Sequence, residues 1–160
     1  MNILGLNCYG HDSAATLTID GEVVFACEEE RLNREKHSGS FPIESIKVAL
    51  QFANLSLSDI EHVVVSWDPA VSYAKIPIYA IKYWKTLPII LSEMFTWKQE
   101  ENLGMLTYLK DIKNIPETLQ KYFPEQKCNF KFHMLNHHLS HAASCFYPSG
   151  FENAAILTID

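Results

Sequence analysis

The feature that most constrains this chain is the pair Asp20-Gly21, set between two strand-like runs at the amino terminus. A two-residue turn joining antiparallel strands needs positive φ at low cost, and Asp-Gly supplies it. It fixes the register of Ser13–Ile19 against Glu22–Cys27, while Asn2–Cys8 reads as a third strand ahead of the turn-rich Tyr9-Gly10-His11-Asp12. Ile46, Ala49, Leu50 and Ala53 recur at helical spacing up to about Asn54, with Pro42 suited to the start of that helix. Glu61–Trp67 (EHVVVSW) reads as a buried strand. Three strands, a helix and a further strand predict an α/β layer in which antiparallel and parallel pairs share one sheet.

Beyond that layer the pattern changes. Val71–Phe123 reads as helical, punctuated by Pro77, Pro88 and Pro116, and is expected to be an insertion. Its most apolar part, Ile76–Trp97, contains Lys82, Lys85, Pro88 and Glu93 and falls short of a membrane span, leaving a surface-lying or partner-binding helical pair as readings. Cys128–Asn136 is strand-like, His137–Phe146 is helix-compatible, Pro148-Ser149-Gly150 is a break, and Asn153–Asp160 reads as another strand. The AAILTID of Ala154–Asp160 differs from the AATLTID of Ala14–Asp20 at one position. Two strands that look alike explain this, and so does the start of a second, related lobe.

With 160 residues the chain is long enough for one domain with a real core, and 48% hydrophobic with 20% charged residues is a globular composition. A net charge of −6 argues against a non-specific nucleic-acid binder, which needs a Lys/Arg surplus. Cys8, Cys27, Cys128 and Cys145 form no CxxC pair, and Met1 leads directly into a strand, so free thiols in the cytoplasm are expected.

Three clusters could carry chemistry. His133, His137, His138 and His141 lie within nine residues. On a helix, His137 and His141 share a face with Cβ atoms about 5–6 Å apart, which lets two imidazoles converge on one metal ion; Asp160, at a strand end, is a candidate carboxylate partner. A surface histidine patch is the plainer reading of the same residues. Gly10-His11-Asp12-Ser13 could bind an anion or move a proton, or be an ordinary turn with a solvated histidine. Glu28-Glu29-Glu30-Arg31, followed by Arg34, Lys36 and His37, reads as a solvated strand exit.

Three stretches together, NILGLNCYGHDSAATLTIDG, CEEERLNREKHSGSFP and NHHLSHAASCFYPSGFENAAILTID, closely resemble the start of the nodulation-type and antibiotic-tailoring O-carbamoyltransferases. The middle stretch, roughly 71–123, adds little to the match. The resemblance implies an RNase H-like/actin-type ATPase lobe with a mixed sheet and a helical insertion, related to the metal-binding subunit of tRNA threonylcarbamoyl-adenosine synthesis. It implies that carbamoyl phosphate and ATP give carbamoyl-adenylate at a YrdC-like domain further along. The amino-terminal domain would then move the carbamoyl group to a hydroxyl of a small-molecule acceptor. His137 and His141 match the family's HxxxH ligands for a divalent metal (iron or zinc), Asp160 matches its first carboxylate ligand, and His11 matches the histidine near the reacting group. Family members are several times longer, so residues 1–160 are expected to be the amino-terminal lobe, with a second lobe starting at about 153–160. Such a chain is expected to be inactive alone, a fragment or a truncated or split gene product. It would work with the missing carboxy-terminal part or as a homo-oligomer, with no nucleic-acid or membrane partner. Two other classes stay open: a non-catalytic metal- or nucleotide-binding module, and a sugar kinase-like ATPase lobe. The second would hold Mg²⁺ with oxygen ligands rather than with a histidine pair.

Overall fold

The computed structural model describes residues 1–68, 110–159 and the isolated positions 77, 81, 82, 84, 85 and 88. Most of the expected helical insertion, including nearly all of 76–97, and Asp160 lie outside the described residues.

Five strands make one mixed sheet in the order β3-β2-β1-β4-β5. They are β1 (Asn2–Asn7), β2 (Ala14–Ile19), β3 (Glu22–Glu28), β4 (His62–Val65) and β5 (Lys131–Met134). β1, β2 and β3 pair antiparallel, whereas β4 runs parallel to β1 and β5 parallel to β4. The Asp20-Gly21 turn forms as read, with φ of 51° and 90° at its two residues.

Strand alternation divides the sheet into two unlike faces. Leu4, Leu6, Ala15, Leu17, Val63 and Val65 point into the core and are almost fully buried. Against them pack Ile46, Ala49 and Leu50 of α2 (Ile43–Phe52), with Leu57 and Ile60 from the 3-10 turn Leu57–Asp59 that follows. Ile115 and Leu119 of α3 (Ile115–Tyr122), together with Ile112, complete this layer. The short α1 (Glu30–Asn33) leads from β3 toward the loop before α2.

Among the described residues the other face is only partly covered. Gly5 and Thr16 line it together with Val64, beneath α4 (His137–Ser149), where a hollow of about 440 Å³ also touches Leu135, Ser140 and Ala143. α4 buries none of its residues fully. It runs through Pro148 to Ser149, past the end expected at Phe146 and the break expected at Pro148, and stops only at Gly150, whose φ of 73° is the left-handed helix stop that glycine takes readily.

Two readings of the sequence change here. Residues 153–159 form no strand, and Leu157 and Ile159 are 83% and 80% exposed. An apolar pattern does not by itself supply the neighbour that takes a strand's backbone groups, and none of the described strands pairs with this segment. The acidic run at the end of β3 is not simply solvated either. Glu29 is 2% exposed, and its two carboxylate oxygens accept the N–H groups of Glu44 (3.1 Å) and Ser45 (2.8 Å). Pro42 occupies the N-cap position of α2 and has no side-chain oxygen to offer, so the carboxylate from 13 residues upstream caps the helix instead.

Candidate functional site

β1 ends beside β4, where the sheet changes from antiparallel to parallel pairing. In open α/β sheets this is where the chain leaves in different directions and opens a crevice beyond the carboxyl ends of the strands. A cleft of about 400 Å³ lies there, lined by Asn7, Gly10 and His11 after β1, Ser66 after β4, and His137, Ser140, His141 and Ser144 on α4. Two clusters picked out separately in the sequence, the Gly10-His11 loop and the His137/His141 pair, therefore share one cavity.

The histidine pair owes its orientation to the start of α4. Asn136 is the N-cap, and its side-chain oxygen accepts the N–H of Leu139 at 3.1 Å. His137 is then the first helical residue and His141 lies one turn on. Their Nε2 atoms stand 3.0 Å apart, with ring centroids at 4.4 Å and planes at 73°. Two imidazole nitrogens bound to one ion at about 2.0–2.1 Å must lie roughly 2.8–3.4 Å apart for bond angles between square and tetrahedral. The pair fits a shared divalent ion. Asp160 lies outside the described residues, so its relation to the pair is not part of the geometry. His138 is exposed. His133 belongs elsewhere: its Nε2 lies 2.9 Å from Nδ1 of His62 across β4 and β5.

The loop between β1 and β2 holds an unusual backbone. Tyr9 (φ 66°) and Asp12 (φ 55°) are both left-handed without being glycine, a conformation that costs about 1–3 kcal/mol per residue and persists where the surroundings enforce it. The enforcing element is the segment before α2. Tyr9 N–H donates to Gly39 O (3.0 Å) and Ser13 N–H to Ser38 O (2.8 Å), so the two loops are laced together. Gly39 is required by contact: a Cβ there would fall 2.2 Å from the carbonyl oxygen of Gly10. From the other side Glu29 N–H donates to Ser13 O at 2.8 Å. Tyr9 also packs its ring on Phe41, with centroids 5.9 Å apart.

This lacing brings in a residue set aside in the sequence. Nδ1 of His37 lies 2.9 Å from Oδ1 of Asp12, and Nδ1 of His11 lies 2.9 Å from Oδ2 of the same carboxylate. Hydrogen bonds from His37 first, and then from His11, hold the Asp12 carboxyl below the usual carboxylate range. The signal for His37 was present as Gly39 two residues later, but a close backbone approach cannot be paired with its target from one sequence. Nearby, burial and then the charge of Asp111 push the Cys8 thiol up to about 12, so Cys8 is a neutral core residue.

The mixed sheet with a cleft at its strand ends is an α/β lobe of the RNase H-like/actin type. YeaZ from Pseudomonas aeruginosa superposes on it with a TM-score of 0.50 at 11% identity, over 93% of this chain and 49% of that one. The particular family follows from the sequence comparison: a model of the carbamoyltransferase N-terminus matches residues 2–160, and the chain belongs to that family. It is 35% identical over 160 residues to the uncharacterized protein sll1178 of Synechocystis sp., covering 99% of this chain and 25% of that protein. It is also 35% identical over 154 residues to the nodulation protein NolNO of Sinorhizobium fredii, covering 96% of this chain and 20% of that protein. The chain thus spans a quarter or less of the length of these relatives. Among the described residues no helix is long and apolar enough to cross a membrane.

Proposed function

We propose that this lobe serves a carbamoyl transfer in which carbamoyl-adenylate, made from carbamoyl phosphate and ATP, gives its carbamoyl group to a hydroxyl of a small-molecule acceptor. The observation that carries the reading is the shared cleft: His11 faces the same cavity as a histidine pair spaced for one divalent ion. His137 and His141, with Asp160, would hold iron or zinc. Bound there, the ion would supply Lewis acidity, offsetting phosphate charge and polarising the carbamoyl carbonyl.

The rest of the chemistry falls to the chain's own groups. The acceptor oxygen forms a bond to the carbamoyl carbon, the bond from that carbon to the phosphate oxygen breaks, and AMP leaves with the electron pair. His11 takes the proton from the acceptor hydroxyl. Ser66, Ser140 and Ser144 line the cleft; the hydroxyls of Ser140 and Ser144 donate to the carbonyls of Asn136 (3.1 Å) and His141 (2.8 Å), which leaves their oxygens to accept from a polar ligand. The reading places this work in the cytoplasm, with the AAILTID segment opening a second lobe. A kinase-like ATPase lobe is the weaker reading, because it gives the histidine pair no task.

A non-hydrolysable carbamoyl-adenylate analogue tests the proposal. With Zn²⁺ present it is expected to bind the chain and to shift the amide resonances of Asn7, Gly10, His11, Ser140 and Ser144. Binding that leaves these residues untouched, or none at all, sinks the assignment.

A further inference from the structure

Asp12 touches two imidazoles, and it does so through both of its oxygens. A carboxylate can only accept, so each Nδ1 must carry the proton. The Nε2 of His11 is then the basic nitrogen, on an 88% exposed side chain at the cleft. His37 is fixed in turn. Its backbone N–H donates to Glu30 Oε2 at 2.8 Å, and its own φ of 56° is held by the loop that Gly39 seats on Gly10. Asn7 closes the arrangement from the strand side, its side-chain amide donating to the carbonyls of His11 (3.3 Å) and Asp12 (3.0 Å). The segment that sequence alone reads as a solvated exit is instead tied to the cleft by a continuous run of hydrogen bonds.

We propose that Asp12, braced by His37 and Glu30, is the positioning residue that sets the tautomer and orientation of His11. The proposal rests on the reading of His11 as the proton acceptor in carbamoyl transfer. A neutral imidazole exists in two tautomers, and only the one protonated at Nδ1 offers Nε2 as a base. When the acceptor oxygen bonds to the carbamoyl carbon and AMP departs, the proton moves to Nε2. The imidazolium so formed keeps its Nδ1–H on Asp12, which carries the compensating charge without itself being protonated. His37 does not touch the reacting atoms in this scheme. It occupies the second oxygen of Asp12 and stops the carboxylate from rotating away. The same backbone clamp explains why the two laced loops tolerate left-handed residues at Tyr9, Asp12 and His37, none of them glycine.

The test is ¹⁵N NMR of the imidazole rings in the 160-residue chain, recorded above the titration range of free histidine. Wild type is expected to show His11 and His37 protonated at Nδ1. Asp12→Asn is expected to move His11 to the Nε2–H form, and His37→Ala to leave His11 in a mixture of both forms. In the enzyme that carries this chain, Asp12→Asn is expected to lower kcat by about 10³–10⁴-fold with KM changed less than about threefold. A His11 tautomer that is the same in wild type and Asp12→Asn overturns the proposal even if carbamoyl transfer is found. If the tautomers behave as stated but neither transfer nor analogue binding occurs, the positioning network stands and the function assigned to His11 fails. Should both variants unfold, as judged by amide dispersion, wild-type spectra alone decide: a His11 ring protonated at Nε2 and bare at Nδ1 refutes the network.

Discussion

Replacing Glu29 tests how the helix layer and the site loop are joined. Its carboxylate accepts two backbone N–H groups at the start of α2, at 3.1 and 2.8 Å, from a side chain that is 2% exposed. A hydrogen bond to a charged partner contributes about 1.5–3 kcal/mol, and water can reach a frayed helix end, so Glu29→Ala should cost about 2–4 kcal/mol rather than the full sum. Glu29→Gln keeps one acceptor and turns an NH₂ toward the other N–H, and should cost about half as much. With a urea m-value of about 2 kcal/mol/M, Glu29→Ala should lower the unfolding midpoint by about 1–2 M. Glu28→Gln is the control. Glu28 is 45% exposed in an ion pair with Arg31, and its loss should cost less than about 0.5 kcal/mol. A shift below about 0.25 M for Glu29→Ala at unchanged m-value would refute the reasoning, since it would mean that α2 does not depend on this cap.

The other expectations are more local. Gly39→Ala forces a Cβ against the Gly10 carbonyl at 2.2 Å and should cost about 1–3 kcal/mol in a thermal melt, while Gly21→Ala, with open space around it but a φ of 90°, should cost about 1 kcal/mol from backbone strain alone. Asp59, held below its ordinary value by the Ser56 hydroxyl first and then the Ser56 backbone N–H, contributes stability that is present above 3.8 and lost as pH falls through its lower folded value. The stability gap between wild type and Asp59→Asn should accordingly close under acid titration below about pH 3.8 and stay constant above about pH 5. Cys145 is exposed and should be alkylated at pH 8, whereas Cys8, raised to about 12, should react only after denaturation, as mass spectrometry of the labelled peptides would show.

How much of this the sequence carried depends on the range of each signal. The Asp20-Gly21 hairpin and the Ile46-Ala49-Leu50 face of α2 are local patterns, and the structure has them as read. The helix from His137 is likewise local, because Asn136 is a capping residue in the chain itself. What failed to show was long-range. The cap of α2 comes from Glu29, and nothing in the acidic run distinguishes the fully buried carboxylate from its partly buried neighbours Glu28 and Glu30. His37 reaches Asp12 only because Gly39 fits on Gly10, a contact between loops 29 residues apart in sequence. The strand read at 153–160 failed for the opposite reason: its apolar residues are real, but no described neighbour takes its backbone. That His11 and the His137/His141 pair meet in one cleft follows from the order of the strands, which local periodicity does not give.

The measurement that bears most directly on the account is metal content per chain, by elemental analysis after purification and after reconstitution with iron or zinc. Wild type is expected to hold one equivalent, and His137→Ala/His141→Ala to hold less than a tenth of that while keeping its fold by circular dichroism. His62→Ala/His133→Ala, which removes the other imidazole pair, should match wild type. Equal metal in the first double variant and wild type would contradict the account at its centre.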